Sequence, residues 1–352
     1  MVHVGIAGIG FMGVTHYKAM QLVTGGRVSA ISSRDPAKRA GDWTAVKGNF
    51  GGSGGTHDLS GVTCHATFED LLADDAVDLV DICLPSPTHR DRSIEALEAG
   101  RHVLVEKPIA LSVADADRMI DAARANDRLL MVGHVLRFWP QWRFLKQALD
   151  DGRYGRLRAL NLRRIIALPD WSATISDFAA NGGPMIDLHI HDVDFLLYLL
   201  GRPRRVRAIG NVRDDRVEYV SAIYDYDDGP RVSCQSGAIA TAARPFFQAF
   251  EACFERATVA FSTSTEPEGC SAEPRRSGAQ RLTVYRSTDD GVGAEFPEFD
   301  DADGFAPQLQ HAVDCVTQGT ASPFIDAAQA RESLEVVMLE DEAVRSGEPV
   351  DL

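Results

Sequence analysis

The stretch Val2-His-Val-Gly-Ile-Ala-Gly8-Ile-Gly10-Phe11-Met12-Gly13 decides the fold. Its first six residues predict a short buried strand, and Phe11 onward, with Met12, His16, Met20 and Leu22, predicts a helix. Gly8 permits a tight turn, Gly10 lets backbone N–H groups approach phosphates, and Gly13 lets the helix pack close to the strand with its positive end aimed at an anion. Glycines in this pattern alone would be weak. Strand before, helix after, and a second strand at Arg27–Ser32 make the stretch a dinucleotide-binding turn.

Working outward, the residue about 20 positions past such a turn decides between cofactors, because a carboxylate there bonds a ribose hydroxyl and repels a 2'-phosphate. Here it is Ser33, followed by Arg34, with Lys38 one turn into the helix begun by Asp35-Pro36. A hydroxyl and two cations favour NADP over NAD. In the other reading Arg34 and Lys38 are solvated and Asp35 takes the ribose. Further on, the apolar run His102-Val-Leu-Val105 ends in Glu106-Lys107-Pro108. A lysine at a strand's carboxyl end puts a titratable ammonium where parallel strands converge on a nicotinamide. Lysine is scarce in this chain, at positions 18, 38, 47, 107 and 146 only, and its compact charge suits proton-coupled chemistry better than arginine's.

From residue 1 to about 135, strand-like runs (Val77–Cys83, His102–Val105, Leu129–Val132) alternate with amphipathic helical ones (Thr88–Ala99, Ala114–Ala125). That alternation predicts a parallel, doubly wound α/β Rossmann domain. Ser86-Pro87 reads as N-cap and first helical residue, Ser112-x-x-Asp115 as a capping box, and Gly100 as a helix stop. Gly48–Gly55 reads as a flexible surface loop. After about residue 155, longer strands (Arg156–Arg163, Val217–Tyr224, Arg231–Ser236, Phe247–Phe254, Arg281–Tyr285) predict an α+β domain with a large, mostly antiparallel sheet open on one face. Such a face commonly serves as an oligomer interface, so a homo-oligomer, dimer or tetramer, is expected. Ser262–Gln280 reads as a loop, and Leu309–Val316 and Ala327–Arg345 as closing helices.

The helix Pro184–Leu200 carries the other half of the chemistry. Asp187, His191 and Asp194 are spaced four and three apart and share one face, while His189 points to the other side. An Asp one turn before a His can fix its tautomer and make the imidazole a general base near neutral pH. With Lys107 this supplies alcohol oxidation with a proton acceptor and a cation for the developing alkoxide. Metal binding by His189-Ile-His191 is disfavoured because a helix splays the two rings, so no metal is expected.

The chain has 352 residues and a net charge of −15. The length implies two domains, and the charge argues against nucleic acid or an anionic membrane as partner. Arg202–Arg207 is too short to reverse that field and reads as a strand start. Six scattered cysteines without a CxxC pair, no membrane-spanning run and no signal pattern imply a cytoplasmic protein.

Taken together, Gly8–Gly13 with His16, Leu84-Pro85-Ser86-Pro-Thr-His89, Glu106-Lys107-Pro108, Arg137-Phe-x-Pro140 and Gly182-Gly-Pro-Met-Ile-Asp187-x-x-x-His191-Asp-x-Asp194 resemble the Gfo/Idh/MocA oxidoreductases over essentially the whole chain. The resemblance implies a Rossmann domain over 1–135, a substrate and oligomerisation domain over 136–325, and a segment 326–352 returning to the first domain. It implies Leu84, Pro85 and Ser86 as cofactor contacts, His89 and Glu106 near the nicotinamide ribose, and a cis Lys107-Pro108 bond. Lys107 and His191 would flank the reacting carbinol of a sugar, inositol or related polyol, with Asp187 orienting substrate or His191. The chain departs from the family's frequent pattern at Val135-Leu136, at His189 where Gly is frequent, and at Ser33 where Asp is frequent. Two alternatives follow from the same resemblance: a redox-assisted glycosidase that retains its dinucleotide, and a non-catalytic dinucleotide or sugar sensor. A sensor would be expected to lose Lys107 or His191.

Overall fold

The computed structural model describes residues 1–48, 54–168, 177–242, 244–263, 281–288, 291–299 and 303–352. The chain divides into two units, Met1–Trp139 with Asp303–Glu335, and Pro140–Ala302 with Val336–Leu352.

The first unit is built on six strands: β1 (Val2–Ala7), β2 (Gly26–Ser32), β3 (Thr63–His65), β4 (Leu79–Ile82), β5 (His102–Glu106) and β6 (Leu130–Gly133). They lie in the order β3-β2-β1-β4-β5-β6, all parallel. This is the doubly wound order in which ligands bind beyond the carboxyl ends of the strands, where the order reverses between β1 and β4. Residues of β1, β4 and β5 are near-continuously buried, as strands covered on both faces must be. The helices are α1 (Phe11–Met20), α2 (Pro36–Arg39), α3 (Phe68–Leu72), α4 (His89–Glu98) and α5 (Val113–Ala125).

Local chemistry sets their ends. The Ser112 hydroxyl accepts from Asp115 N at 3.1 Å and donates to the Asp115 carboxylate at 2.8 Å. Gly100, with φ +77°, follows α4. Ser86-Pro87 does not open that helix directly: Ser86–Thr88 form a 3-10 turn capped by Pro85, and α4 begins at His89. Most of the glycine-rich stretch expected to be a loop lies outside the described residues. Gly54, which is described, packs so closely on Trp43 that a Cβ would fall 1.9 Å from the Trp43 carbonyl oxygen.

The second unit has α6 (Pro140–Asp150), β7 (Leu157–Ala167), α7 (Phe178–Asn181), a π turn at Met185–His189, α8 (Ile190–Leu200), and strands β8 (Arg205–Arg213), β9 (Arg216–Asp225), β10 (Arg231–Ala240), β11 (Phe247–Phe254), β12 (Ala257–Ser262), β13 (Arg281–Thr288) and β14 (Gly291–Glu295). With β15 (Val350–Asp351) they form a nine-stranded sheet, β14-β13-β12-β11-β7-β10-β9-β8-β15. All its pairings are antiparallel except β7 with β10. On one face Trp142 packs edge-on against Phe195 and Phe250, at ring separations of 4.7 and 5.1 Å. The other face exposes Ile209, Ile223 and Tyr285. The segment expected as a loop after Ser262 lies largely outside the described residues.

The last two helices are α9 (Phe305–Gln318) and α10 (Ala327–Ser346). The segment grouped with the first unit is Asp303–Glu335 rather than 326–352. The physical reason lies in the partners. Phe305, Leu309 and Val313 join the apolar core of β1 and α1, whereas Arg345 pairs with Asp215, and Val350 with Val206 on β8.

Candidate active site

The glycine turn is shaped by close approach. Gly8 has φ +93°, and a Cβ there would lie 2.9 Å from the Cys83 carbonyl oxygen, so a side chain is excluded twice over. A Cβ on Gly13 would fall 2.0 Å from the Gly8 oxygen. Gly10, the N-cap of α1, has nothing within 4 Å of where its Cβ would be. Open backbone at the start of a ten-residue helix, with partly exposed Phe11 and Met12 beside it, fits the pyrophosphate of a dinucleotide.

At the end of β2, Ser33 is half-buried and Arg34 exposed. Asp35 is committed to capping α2, accepting from Ala37 N at 2.9 Å. Arg39 donates to the Ser33 and Arg34 carbonyls at 2.7 and 3.0 Å, fixing the loop. Lys38 is partly exposed, and its carbonyl accepts from the Trp43 indole.

Leu84, Pro85 and Ser86 follow β4, and Lys107 follows β5, partly exposed and joined to Pro108 by a cis bond. Buried His89 ties the two segments together, with Nδ1 2.7 Å from the Pro108 oxygen and Nε2 2.9 Å from the Leu84 oxygen. Burial holds its pKa below the ordinary value despite these carbonyls.

Beneath them His16, fully buried on α1, lies between two carboxylates: Nδ1 is 2.8 Å from Asp81 and Nε2 3.1 Å from Glu106. Burial disfavours its charge, but Asp81 overrides this and raises the His16 pKa well above its ordinary value. Burial pushes Glu106 up, and His16 and the Lys107 charge return it to below the usual carboxylate range. Cys83, against His16, is pushed up to about 12 by burial and by Asp81, and remains a thiol.

In the second unit the helix expected from Pro184 is a π turn followed by an α-helix. Among Met185–Asp194 only Asp187 and His191 are partly exposed. Asp194, expected on their face, is fully buried. The wider i→i+5 turn changes the facing of Asp187 relative to the helix that follows, while His191 and Asp194 keep α-helical spacing within α8. His189 points inward, as its spacing implied. Its Nδ1 lies 2.9 Å from Ser236 Oγ on β10 and its Nε2 2.6 Å from Glu340 on α10. Ser236 donates to Asp192 at 3.1 Å. Arg164 on β7 donates to both Asp192 oxygens at 2.8 and 2.9 Å and to Gln248 on β11 at 2.7 Å. Cys234, pushed up by burial and by the Asp192 and Glu340 charges, stays a thiol beside them.

Among the described residues, two groups bring metal-ligating atoms together, His16–Asp81–Cys83 and His189–Asp192–Cys234, each within 4.8 Å. In the first, the Nδ1–Asp81 contact holds a proton. In the second, the Arg164 guanidinium occupies both Asp192 oxygens. A cation would have to displace one or the other.

Sequence reading passed over Asp81, Arg164, Ser236 and Glu340. Two of them carried a signal. Asp81 interrupts an apolar strand, and Arg164 stands on the inward phase of β7, with Leu160, Leu162 and Ile166.

Residues 2–134 match the oxidoreductase family with an NAD-binding Rossmann fold, and residues 142–260 match the GFO/IDH/MocA C-terminal domain. An inositol 2-dehydrogenase of Rhizobium meliloti is 27% identical over 354 residues, 98% of this chain and 96% of that one. A myo-inositol 2-dehydrogenase of Thermotoga maritima is 28% identical over 221 residues, 61% of this chain and 60% of that protein. A 1,5-anhydro-D-fructose reductase of Ensifer adhaerens is 35% identical over 136 residues, 38% of this chain and 40% of its own length. For these last two, then, less than two thirds of the relative is matched. Among solved structures, the aldose-aldose oxidoreductase of Caulobacter crescentus complexed with glycerol superposes with a TM-score of 0.80 at 21% identity, over 100% of this chain and 99% of that one. Levoglucosan dehydrogenase, in complex with NADH and L-sorbose, gives 0.80 at 18% identity, over 99% and 98%. At these identities the structures establish a shared fold.

Proposed function

We infer that this chain, which belongs to the Gfo/Idh/MocA oxidoreductase family, transfers hydride between a nicotinamide dinucleotide and a carbinol or carbonyl carbon of a sugar, inositol or related polyol. The observation that carries this reading is that Lys107 directly follows β5 on the sheet whose β1 leads into the glycine turn. Backbone at Gly8, Gly10, Phe11, Met12 and Gly13 would hold the pyrophosphate. Leu84, Pro85, Ser86, His89 and Glu106 would line the nicotinamide end. When bound, the nicotinamide supplies the hydride acceptor or donor. In the oxidative direction His191 takes the hydroxyl proton, Lys107 stabilises the alkoxide charge, and hydride leaves the carbon. Asp187 orients the His191 ring or a substrate hydroxyl.

NADP(H) is the preferred cofactor in this reading. Ser33 carries no charge to repel a 2'-phosphate, Arg34 and Lys38 supply cations, and Asp35 is engaged as a cap. The exposed apolar side chains of the open sheet favour a homo-oligomer through that face, and the five cysteines among the described residues, all free, go with a cytoplasmic setting.

The test is a panel of sugars, inositols and polyols with each oxidised cofactor, read by absorbance of the reduced nicotinamide. Lys107→Ala and His191→Ala should each lower turnover by about 10²- to 10⁴-fold with cofactor Kd within a few-fold. A variant with near-normal turnover removes that residue from the mechanism. Equal or tighter NAD(H) binding removes the 2'-phosphate assignment.

A further inference from the structure

The buried contacts from Glu340 to Arg164 fix their own direction. Ser236 has one hydroxyl proton, and it goes to Asp192. Only lone pairs are then left towards His189, so Nδ1 carries a proton and donates it. A contact of 2.6 Å between Nε2 and Glu340 needs one proton between the two atoms, whichever holds it. The ring of His189 is therefore held at both ends. Tyr224, fully buried, also lies within the field of the Glu340 carboxylate.

His189 is the last residue of the π turn. Asp187 lies two residues before it and His191 two after, and these are the partly exposed positions of the segment. A π turn is a rare conformation that persists where its surroundings over-determine it. Arg164, Asp192, Ser236, His189 and Glu340, each at most 3% exposed, join β7, α8, β10, the π turn and α10 and supply that determination.

We propose that Glu340, acting through His189, is a positioning residue that holds the π turn so that Asp187 and His191 are presented from a fixed backbone. The proposal rests on the reading of His191 as the acid/base. A proton must lie between residue 340 and Nε2, so Glu340→Gln, whose amide can donate one, keeps the link, and Glu340→Met breaks it.

The test uses the full-length protein with 15N-labelled histidine and the substrate found in the panel. Glu340→Met should lower kcat by about 10²-fold, the cost of misplacing a reacting group by about 1 Å, with substrate KM and cofactor Kd within a few-fold. The His191 ring signals should shift without substrate present. Glu340→Gln should restore most of the rate and the signals. Wild-type kcat and unshifted His191 signals in Glu340→Met would overturn the proposal. If His191→Ala itself keeps turnover, the acid/base reading fails, and the signals still decide whether Glu340 positions the turn. Should Glu340→Met not fold, Glu340→Asp takes its place. By drawing the carboxylate back one methylene it should give a smaller fall and the same shift, and no change in either overturns the proposal.

Discussion

Each unit buries a histidine against carboxylates, but the two arrangements balance charge differently. His16 faces two carboxylates, Asp81 and Glu106, within the strands and helix that open the chain. His189 faces Glu340 alone, and the neighbouring Asp192 has its own guanidinium in Arg164. The second unit is neutralised pair by pair. The first concentrates one cation between two anions below Lys107, so removing any member strands another. Paired charges can be exchanged for apolar packing, and a shared cation cannot.

The largest effect should come from His16→Leu. It leaves two buried carboxylates facing each other, with a loss of at least about 3–5 kcal/mol of stability in denaturant unfolding. Adding Asp81→Leu should recover little, because Glu106 stays buried without the His16 imidazolium, with the Lys107 backbone N–H and the Lys107 charge left to support it. Full recovery would break the shared-cation account. Arg164→Met should also cost about 3–5 kcal/mol by stranding Asp192. There, adding Asp192→Leu should return most of the loss, and a double variant no better than the single would show that Asp192 has a second essential role.

The smallest effect is a pH slope. His16 has a folded pKa raised well above 6.5, so its stabilisation is complete below pH 6.5 and is lost as pH rises through the folded value. His89, depressed by burial, works in the opposite sense: its contribution is present above pH 6.5 and falls away in acid. Cys83 adds a loss only above the ordinary thiol value of 9.0. Between pH 6.5 and about 8.5 the His16 contribution therefore stands apart, at up to about 1.4 kcal/mol per pH unit for one proton. Hydrogen exchange of β1 and β4 amides should show that slope in the unaltered protein and not in His16→Gln.

The first unit was legible in the sequence because its signals are local. The glycine turn, the capping box at Ser112 and the strand ending in Glu106-Lys107 each lie within a dozen residues, and each stands where its pattern placed it. Most of the second unit's sheet was legible as alternation, but β12, six residues just past β11, was not read, β14, whose five residues are all exposed, has no buried face to produce a pattern, and two-residue β15 is too short to show one. The π turn was hidden for a different reason: helical spacing assumes a constant pitch, and the carboxylate that His189 meets at the end of that turn lies 151 residues away. No window along the chain contains both partners. The same separation conceals the pairing of Arg164 with Asp192, 28 residues apart, although the inward phase of Arg164 on β7 marked it as needing a partner.

That long reach also sets a schedule. At about 5–20 residues per second, translation delivers Glu340 roughly 8–30 s after His189. Until then Ser236 on β10 has Asp192 to bond, but His189 Nε2 has no Glu340 carboxylate to close on. The β8 edge waits longer still for Val350. A nascent chain can complete its glycine turn early, but the polar interior of the second unit stays open to water, chaperones and neighbouring strands until α10 arrives.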